Sequence, residues 1–529
     1  MEHLLKKYLY ILTAAFLTAC NGGKGNQGST MADSTVVGHD STRVQTTEIT
    51  RLPDTAYASV AAVKFTTEII DTASSGIIST LEDMYSDTPG AFTFRKNAHR
   101  DGDFNGRVFG TPEKITVDWE FKTDVDTRET KFGTWGGGSG WTGQPLYVNW
   151  PDSCISRFKG NGAWTPDFDR QEIIVGSLAS RIYFINFNTG KPSRKPIHTD
   201  NPIKGTVSLD PTLNGNLYAG QGVPAVRPFG AMVIDLYKHQ RSHFFGEDAK
   251  AGRHWDAYDS SPLRVGQFLI RPGENGTLYK FTILSGSLKL HSTLRYTVNG
   301  LTPGMEASIS VYRNYGFTAD NHGNVLCVNL DTMKPVWHYS LGDDTDATPV
   351  IQVENGKPYI YTGCEIDRQN VGAATFVKLN GLDSSLVWEA KIPGKRFDIG
   401  NKHFDGGFYA SALPGDGNCK DMIFTNCVTN EGNQGGDFIA LNRHNGSIVY
   451  RIKLKHYAWS SPVGFLNENG EMFIFTGDTF GNVYLINGID GKIIHTTHVG
   501  NNFESSPVAV GNSVVVGSRG NSIYKMTIQ

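Results

Sequence analysis

The sequence predicts an all-β protein, an eight-bladed β-propeller built from four-stranded antiparallel blades. Three observations support this fold class. Glycine and aromatic residues are abundant, with 60 Gly, 29 Phe and 21 Tyr, which suits short strands joined by tight turns. A phrase of two small residues and a proline recurs along the chain. The 529 residues also exceed one ordinary core and suit a large repeat architecture.

The first 19 residues are predicted to be a lipoprotein signal peptide. Lys6 and Lys7 precede an apolar run, 8–19, that is too short to span a bilayer but fits a signal-peptide core. The run ends in LTAC, which resembles the bacterial lipobox, so Cys20 is the expected lipidation site. Residues 20–55 are expected to be a flexible tether. No Asp follows Cys20 directly, which favours the outer membrane, on either its periplasmic or its surface face.

Residues 56–110 are expected to form an N-terminal lead-in segment, followed by the propeller at 111–529. The last unit of the propeller ends after SIYKMTI without a fourth strand. An unpaired strand-like stretch, KITVDWEFK at 114–122, precedes the first unit. We therefore predict that residues near 115–122 close the ring beside the C-terminal strands, because closure removes an open sheet edge.

The repeat unit consists of the small-small-Pro phrase, an apolar run, a turn and a second apolar run. Clear copies of the phrase end at Pro262, Pro349, Pro462 and Pro507. Looser copies bring the number to eight, and the second copy is aligned on SLDP at 208–211. The mean spacing of about 52 residues suits four short strands with turns. A third strand such as NVYLIN and a fourth strand with Trp or Tyr, such as LVWEA, complete the unit.

These motifs resemble a known family. GNVYLINGIDGKIIHTTHVG and LVWEAKIPG are similar to the repeats of quinoprotein-like eight-bladed propellers, as is the stretch FTFRKNAHRDG at 92–102. The resemblance covers 92–529 and implies the propeller fold. The family contains dehydrogenases that use pyrroloquinoline quinone (PQQ) and non-catalytic scaffolds, including lipoproteins that assist outer-membrane protein assembly.

The net charge and the cysteine content bear on which partners and cofactors are expected. The formal charge of −3 does not indicate a nucleic-acid partner. In the family that the sequence resembles, PQQ enzymes usually carry two adjacent cysteines. None of the six cysteines of this chain are adjacent. A PQQ site is therefore not expected. Cys364 and Cys427 fall at equivalent strand ends and are expected to be buried thiols, with disulfide formation left open.

The residue before each small-small-Pro phrase is expected near the mouth of the central channel. Four of these eight residues are acidic, namely Asp259, Glu306, Asp346 and Glu504. Gathered carboxylates raise one another's pKa unless a cation neutralises them. The acids therefore predict a site for calcium or a basic ligand, with a solvated polar rim as the alternative. No metal ligands and no other cofactor are assigned.

Two further features are candidate ligand-binding elements. Trp135 and Trp141 flank GGGSG, whose glycines allow close approach to a neighbouring blade or to a ligand such as a sugar ring. His254 and His403 each precede an aromatic residue and an Asp, and are expected on the same face. No catalytic residue is assigned.

The expected function is a lipid-anchored, non-catalytic binding or scaffold module of the cell envelope, with a protein or carbohydrate ligand. The first alternative is an envelope carbohydrate lyase or hydrolase that uses one propeller face, and the second is a PQQ-dependent dehydrogenase. A deep axial pocket with His and carboxylate groups would favour an enzyme, and a filled channel would favour a scaffold.

Overall fold

A computed structural model describes residues 49–102, 106–141, 143–158, 162–369, 371–399, 402–432 and 434–529, without the side chains of 398–403. The predicted lipidation site Cys20 lies outside these residues. Within the described ranges, helices are short: a 3-10 turn at Ala58–Ala62, an α-helix at Asp152–Phe158 and a 3-10 turn at Gly417–Cys419. No helix of this part of the chain has the length and apolar character needed to cross a membrane.

The described residues form eight antiparallel blades, which confirms the predicted fold class. First strands of neighbouring blades contact one another, as in blades 4 and 5, so the first strand of each blade is the innermost. Blades 1 to 4 consist, in strand order, of Leu146–Asn149, Gln171–Ser177, Arg181–Asn186 and Ile197–His198; Ser208–Leu209, Asn216–Gly220, Ala231–Asp235 and Gln240–Phe245; Leu263–Val265, Phe268–Pro272, Thr277–Leu284 and Ser287–Val298; Ser310–Tyr312, Tyr315–Ala319, Asn324–Asn329 and Lys334–Ser340.

Blades 5 to 8 follow the same plan, and the fourth strand of blade 8 precedes blade 1 in the chain. Their strands are Val350–Glu354, Lys357–Gly363, Val371–Asn380 and Leu386–Lys395; Leu413–Pro414, Met422–Val428, Gly436–Asn442 and Ile448–Lys453; Val463–Leu466, Met472–Gly477, Asn482–Asn487 and Ile493–His498; Val508–Val510, Ser513–Ser518, Ser522–Ile528 and Ile115–Lys122.

Additional strands lie outside this plan. Two hairpins, Asp126–Thr130 with Gly133–Gly136 and Phe397–Ile399 with Lys402–Phe404, extend from connections between blades. Short additional strands are Val63–Ile69, Gly90–Ala91, Gly106–Arg107, Glu365–Ile366 and Gly406–Gly407.

Blade stacking explains the sequence pattern of the strands. Second strands such as Asn216–Gly220 and Ser513–Ser518 are buried at every residue. Both of their faces contact neighbouring blades, so they consist of continuous apolar or small residues rather than alternating ones. Fourth strands such as Ile448–Lys453 are only partly buried, because they lie at the outer rim.

The residue directly before the proline position of the repeated phrase links several blades to the next one. The backbone N–H of Ser261 donates to Oγ of Ser308 at 2.8 Å, and the N–H of Ser308 donates to Oγ1 of Thr348 at 3.0 Å. The repeated phrase therefore holds the shape of the ring through hydroxyl groups. Equivalent pairs, donor first, are Gln144 with Thr206, Ser411 with Ser461 and Ser461 with Ser506.

The aromatic residue of the fourth strand makes a second link between blades. Nε1 of Trp388 donates to the backbone carbonyl of Arg443 in blade 6 at 2.9 Å. Its ring lies against Gly446, where an added Cβ would be 2.6 Å from the indole. Comparable bonds run from Trp119 to Phe187, from Trp337 to Gly381 and from Tyr450 to Gly488.

The ring closes as predicted. Ile115–Lys122 pairs antiparallel with Ser522–Ile528 and supplies the fourth strand of blade 8. Gln529 extends the pairing by exchanging backbone hydrogen bonds with Lys114.

Residues 49–91, the N-terminal belt, run along the outside of several blades. The N–H of Tyr57 donates to Val336 in the outer strand of blade 4 at 2.7 Å. Val63–Ile69 adds a fifth strand at the outer edge of blade 3, which would otherwise be exposed. The belt then turns inward, because Gly90–Ala91 pairs with the innermost strand of blade 1.

Residues 92–102, the plug, cross the central channel. The carbonyl groups of Phe92, Ala98 and His99 accept hydrogen bonds from first strands of blades 2, 4 and 5. Arg100 is fully buried and donates to the carbonyl groups of Ile309 and Ser261 at 2.9 and 3.1 Å. The plug fills the channel beside the inner strands, while the acidic side chains lie at the end where those strands begin.

Candidate cation site at the propeller axis

The blade-to-blade hydrogen bonds define which residues occupy equivalent positions around the axis. Thr206 accepts from Gln144, so the phrase of blade 2 is Lys204–Val207 rather than the SLDP stretch used in the sequence alignment. The equivalent of Asp259 in blade 2 is therefore Lys204. Around the axis, the described members of this ring are Lys204, Asp259, Glu306, Asp346, Tyr409, Trp459 and Glu504.

The first trio of carboxyl groups consists of Asp259, Glu274 and Glu306. One oxygen from each lies within 4.8 Å of the others. Lys204 forms an ion pair with Asp259 and lies 3.6 Å from a carboxyl oxygen of Glu306. The second oxygen of Glu274 accepts a hydrogen bond from Nε1 of Trp255 at 2.8 Å. The ammonium group of Lys204 therefore already supplies this trio with one positive charge.

The second trio consists of Asp344, Asp346 and Glu365, again with oxygens within 4.8 Å of one another. Glu365 lies beside Tyr409, whose pKa is raised first by burial and then by the Glu365 carboxyl group. Within the described residues, no Lys or Arg forms an ion pair with any member of this trio. The six carboxyl groups of the two trios and Lys204 together form the axial cluster.

Burial and mutual repulsion both favour protonated acids in the axial cluster. Burial raises the pKa of Asp344 to about 8, and the neighbouring Glu306 and Asp367 contribute to the same shift. The pKa values of Glu274, Asp346 and Glu365 are raised well above the ordinary range, first by burial and then by adjacent carboxyl groups. Burial opposes the charge of Lys204, but Asp259 and Glu306 outweigh it and raise its pKa.

Aromatic side chains form the other side of the ring. Trp141 is buried and lies 6.1 Å from the ring of Tyr409, whose ring lies 5.0 Å from that of Trp459. The ammonium group of Lys204 lies 5.8 Å from the centroid of Trp141. The axis is therefore acidic across blades 3 to 5 and aromatic across blades 6, 7 and the connection before blade 1.

The glycine-rich connection between blades 8 and 1 contacts the protein itself. An added Cβ at Gly138 would be 1.7 Å from the carbonyl oxygen of Ser518 in blade 8, and its φ of +71° favours glycine. Trp135 lies 5.3 Å from the guanidinium of Arg519. The hairpin before it reaches the connection between blades 2 and 3, where the ring centroids of Phe132 and Trp255 lie 5.2 Å apart. Of the two predicted tryptophans, only Trp141 contacts the axial cluster.

The other predicted site residues lie apart from the cluster. Glu504 pairs with Arg519 at 3.2 Å and accepts from Asn502. His254 is exposed, and its neighbour Trp255 is the residue that contacts Glu274. The side chain of His403 lies outside the described residues. Asp259, Glu306 and Asp346 are the predicted acids that the structure brings together.

The site also contains residues that sequence reasoning missed. Glu274 and Glu365 are each the second residue after the second strand, in blades 3 and 5. A comparison of that single position across the repeats would have revealed them. Asp344 precedes Asp346 by two residues within the acidic run DDTD, so it could have been recognised as a candidate from the sequence.

Comparisons with known proteins support the propeller fold but do not identify an activity. No protein-family model matches the chain. A tetrathionate hydrolase from Acidithiobacillus ferrooxidans is 24% identical over 268 residues, which cover 40% of this chain and 49% of the relative. The chain thus spans about half the length of that relative.

Two solved structures that resemble the chain are a methanol dehydrogenase and BamB. A europium-containing methanol dehydrogenase matches with a TM-score of 0.58 and 13% identity, over 84% of this chain and 99% of that one. BamB from Moraxella catarrhalis matches with a TM-score of 0.46 and 14% identity, over 69% of this chain and 95% of BamB. The methanol dehydrogenase match supports the propeller fold at this level of identity, and nothing beyond it.

Proposed function

We propose that the chain is a lipid-anchored binding module of the cell envelope whose axial cluster holds one hard metal ion. The second trio carries this proposal. Its three carboxyl groups have oxygens within 4.8 Å of one another, a spacing that fits oxygens around one calcium-sized ion at about 2.3–2.6 Å. Hard cations prefer such oxygen ligands.

The unpartnered oxygens of the second trio support the same conclusion. Among the described residues, Oδ1 of Asp344 and Oε1 of Glu365 have no hydrogen-bond partner, and Glu365 is only 4% exposed. A buried carboxylate is costly unless it is paired with a cation or carries a proton. A bound metal ion satisfies these oxygens and offsets the repulsion within the trio.

The filled channel and the aromatic side of the ring support a binding role. The plug occupies the channel beside the inner strands, so a ligand reaches the axial cluster from one face. Tyr409 and Trp459 are half-buried beside the acids, where they offer a surface for an envelope protein or carbohydrate. Attachment through Cys20 would hold the binding module at a membrane.

PQQ does not fit the axial cluster as the chain presents it. The cofactor is itself a tricarboxylate, whereas the cluster contains six carboxyl groups and one described ammonium group, that of Lys204. The five described cysteines are free and buried, and none are adjacent. Placing a tricarboxylate among these acids would add to their mutual repulsion, which argues against a quinone cofactor at the axis.

Thermal melting with calcium tests the proposal. Calcium at a hundredfold excess over its dissociation constant should stabilise the fold by about 2.7 kcal/mol. The double variant Asp346→Asn, Glu365→Gln should lose this gain. Without calcium it should be as stable as the parent or more so, because two repelling acids are removed.

Glu504→Gln is the matched control. Glu504 occupies the same ring position in blade 8 but is paired with Arg519, so its substitution should leave the calcium-dependent gain unchanged. A parent protein whose melting temperature responds to neither calcium nor terbium would show that the acids are only a polar rim.

A further inference from the structure

The first trio has the same geometry as the second but contains an ammonium group. Both trios place three carboxyl oxygens within 4.8 Å of one another. In the first, Lys204 reaches Asp259 and Glu306 from the neighbouring blade, and its side chain is 18% exposed. The two trios therefore differ in whether the chain supplies a cation.

A second observation indicates that the first trio could bind a cation of higher charge than the ammonium group of Lys204. Glu274 is 3% exposed, and its Oε1 has no hydrogen-bond partner among the described residues. Its other oxygen accepts from Trp255, which fixes the carboxyl group toward the trio. Lys204 contacts Asp259 and Glu306, and within the described part of the chain no ion pair with Glu274 is formed.

We infer that Lys204 occupies a second, latent metal site and limits the chain to one bound ion. The latent site consists of Asp259, Glu274 and Glu306. This inference rests on the proposed function, because it requires that the second trio binds the resident ion. Lys204 acts by occupying the position of a cation, so removing its charge should open the first trio to a metal ion of the same oxygen-preferring class.

The position of Lys204 in the ring gives this inference a structural reason. At this ring position, blade 2 contributes a positively charged residue, whereas blades 3, 4 and 5 contribute Asp259, Glu306 and Asp346. The ammonium group lies 5.8 Å from the centroid of Trp141 and reaches Asp259 in blade 3 and Glu306 in blade 4. A single substitution at this position therefore changes the charge of the trio without changing its carboxyl ligands.

Metal stoichiometry tests the inference. Terbium is titrated by calorimetry into the parent, Lys204→Met and Lys204→Arg proteins. We expect one ion for the parent, two for Lys204→Met, and one for Lys204→Arg, which keeps the positive charge. A value of one for a folded Lys204→Met protein would overturn the inference and leave the proposed function intact, whereas no binding by the parent would overturn the proposed function.

A second pair of variants in the parent background keeps the inference testable if Lys204→Met does not fold. Glu274→Gln should leave the single ion and its dissociation constant unchanged within about twofold, because the first trio holds Lys204. Glu365→Gln should weaken binding at least about tenfold. Loss of the resident ion in Glu274→Gln would overturn the inference, since the ion would then lie in the first trio.

Discussion

Lys280 is a buried ammonium group away from the axis, and it gives the protein a pH-dependent stability. It donates to the carbonyl groups of Gly76 and Leu330, linking the belt to blade 4. Burial lowers its pKa from 10.5 to about 8, partly offset by Asp331 and reinforced by Arg51. Between pH 8 and 10.5 the unfolded chain binds a proton here that the folded chain lacks, so the free energy of unfolding rises with pH.

Urea unfolding of the parent and Lys280→Met proteins should reveal this contribution. The parent should gain roughly 1.5 kcal/mol relative to the variant between about pH 8 and 9.5. Subtracting the variant removes the effect of other titrating groups, including the nearby His291. A pH-independent difference between the two proteins would show that Lys280 does not titrate in this range.

Individual residues also show where sequence reasoning about the site stops. The acids Asp259, Glu306 and Asp346 could be found because they precede recognisable copies of the repeated phrase. Lys204 could not, because its phrase, KGTV, is followed directly by SLDP, whose proline at 211 shifted the alignment four residues along the chain. The hydrogen bond between Gln144 and Thr206 fixes the register there.

At the scale of elements, the contact between an aromatic outer strand and the next blade depends on glycine. Gly446→Ala should destabilise the protein in two ways. Its φ of +73° disfavours a side chain by about 1 kcal/mol, and a Cβ 2.6 Å from the Trp388 ring should add about 1–3 kcal/mol.

Gly470→Ala is the control for this prediction. Gly470 has a φ of +75° and no atom within 4 Å of an added Cβ, so only the backbone cost applies. The difference in unfolding free energy between the two variants measures the contact between blades. Equal destabilisation would mean that blade 6 shifts away from Trp388 without loss.

The strands were predictable to different extents. Second and third strands such as MFIFTG and NVYLIN are recognisable because both faces are buried and the turns contain Gly or Asn. The belt was not predictable, because Val63–Ile69 has a mixed polar and apolar pattern that fits many sheet edges. Its partner is the outer strand of blade 3, more than two hundred residues later in the chain.

At the scale of the whole molecule, the proposed lipid anchor at Cys20 would hold the propeller at a membrane. Cys20→Ser removes the proposed acylation site, so the protein should move from the membrane fraction to the soluble fraction of cells. The measurement is fractionation followed by immunoblotting, with Cys154→Ser as a control in a described, buried thiol. Continued membrane association of the Cys20→Ser protein would contradict lipid anchoring at this residue.

Closure of the ring also has a consequence for biosynthesis. Glu120 accepts a hydrogen bond from Ser522, a residue translated 402 positions later. Blades 1 to 7 can form as the ribosome releases them. Blade 8 can form only after Ser513–Ser518 and Ser522–Ile528 have been synthesised, because Ile115–Lys122 pairs with the latter strand. A nascent or prematurely terminated polypeptide therefore displays two unsatisfied strand edges, which mark it for chaperones and proteases until translation has passed the seam.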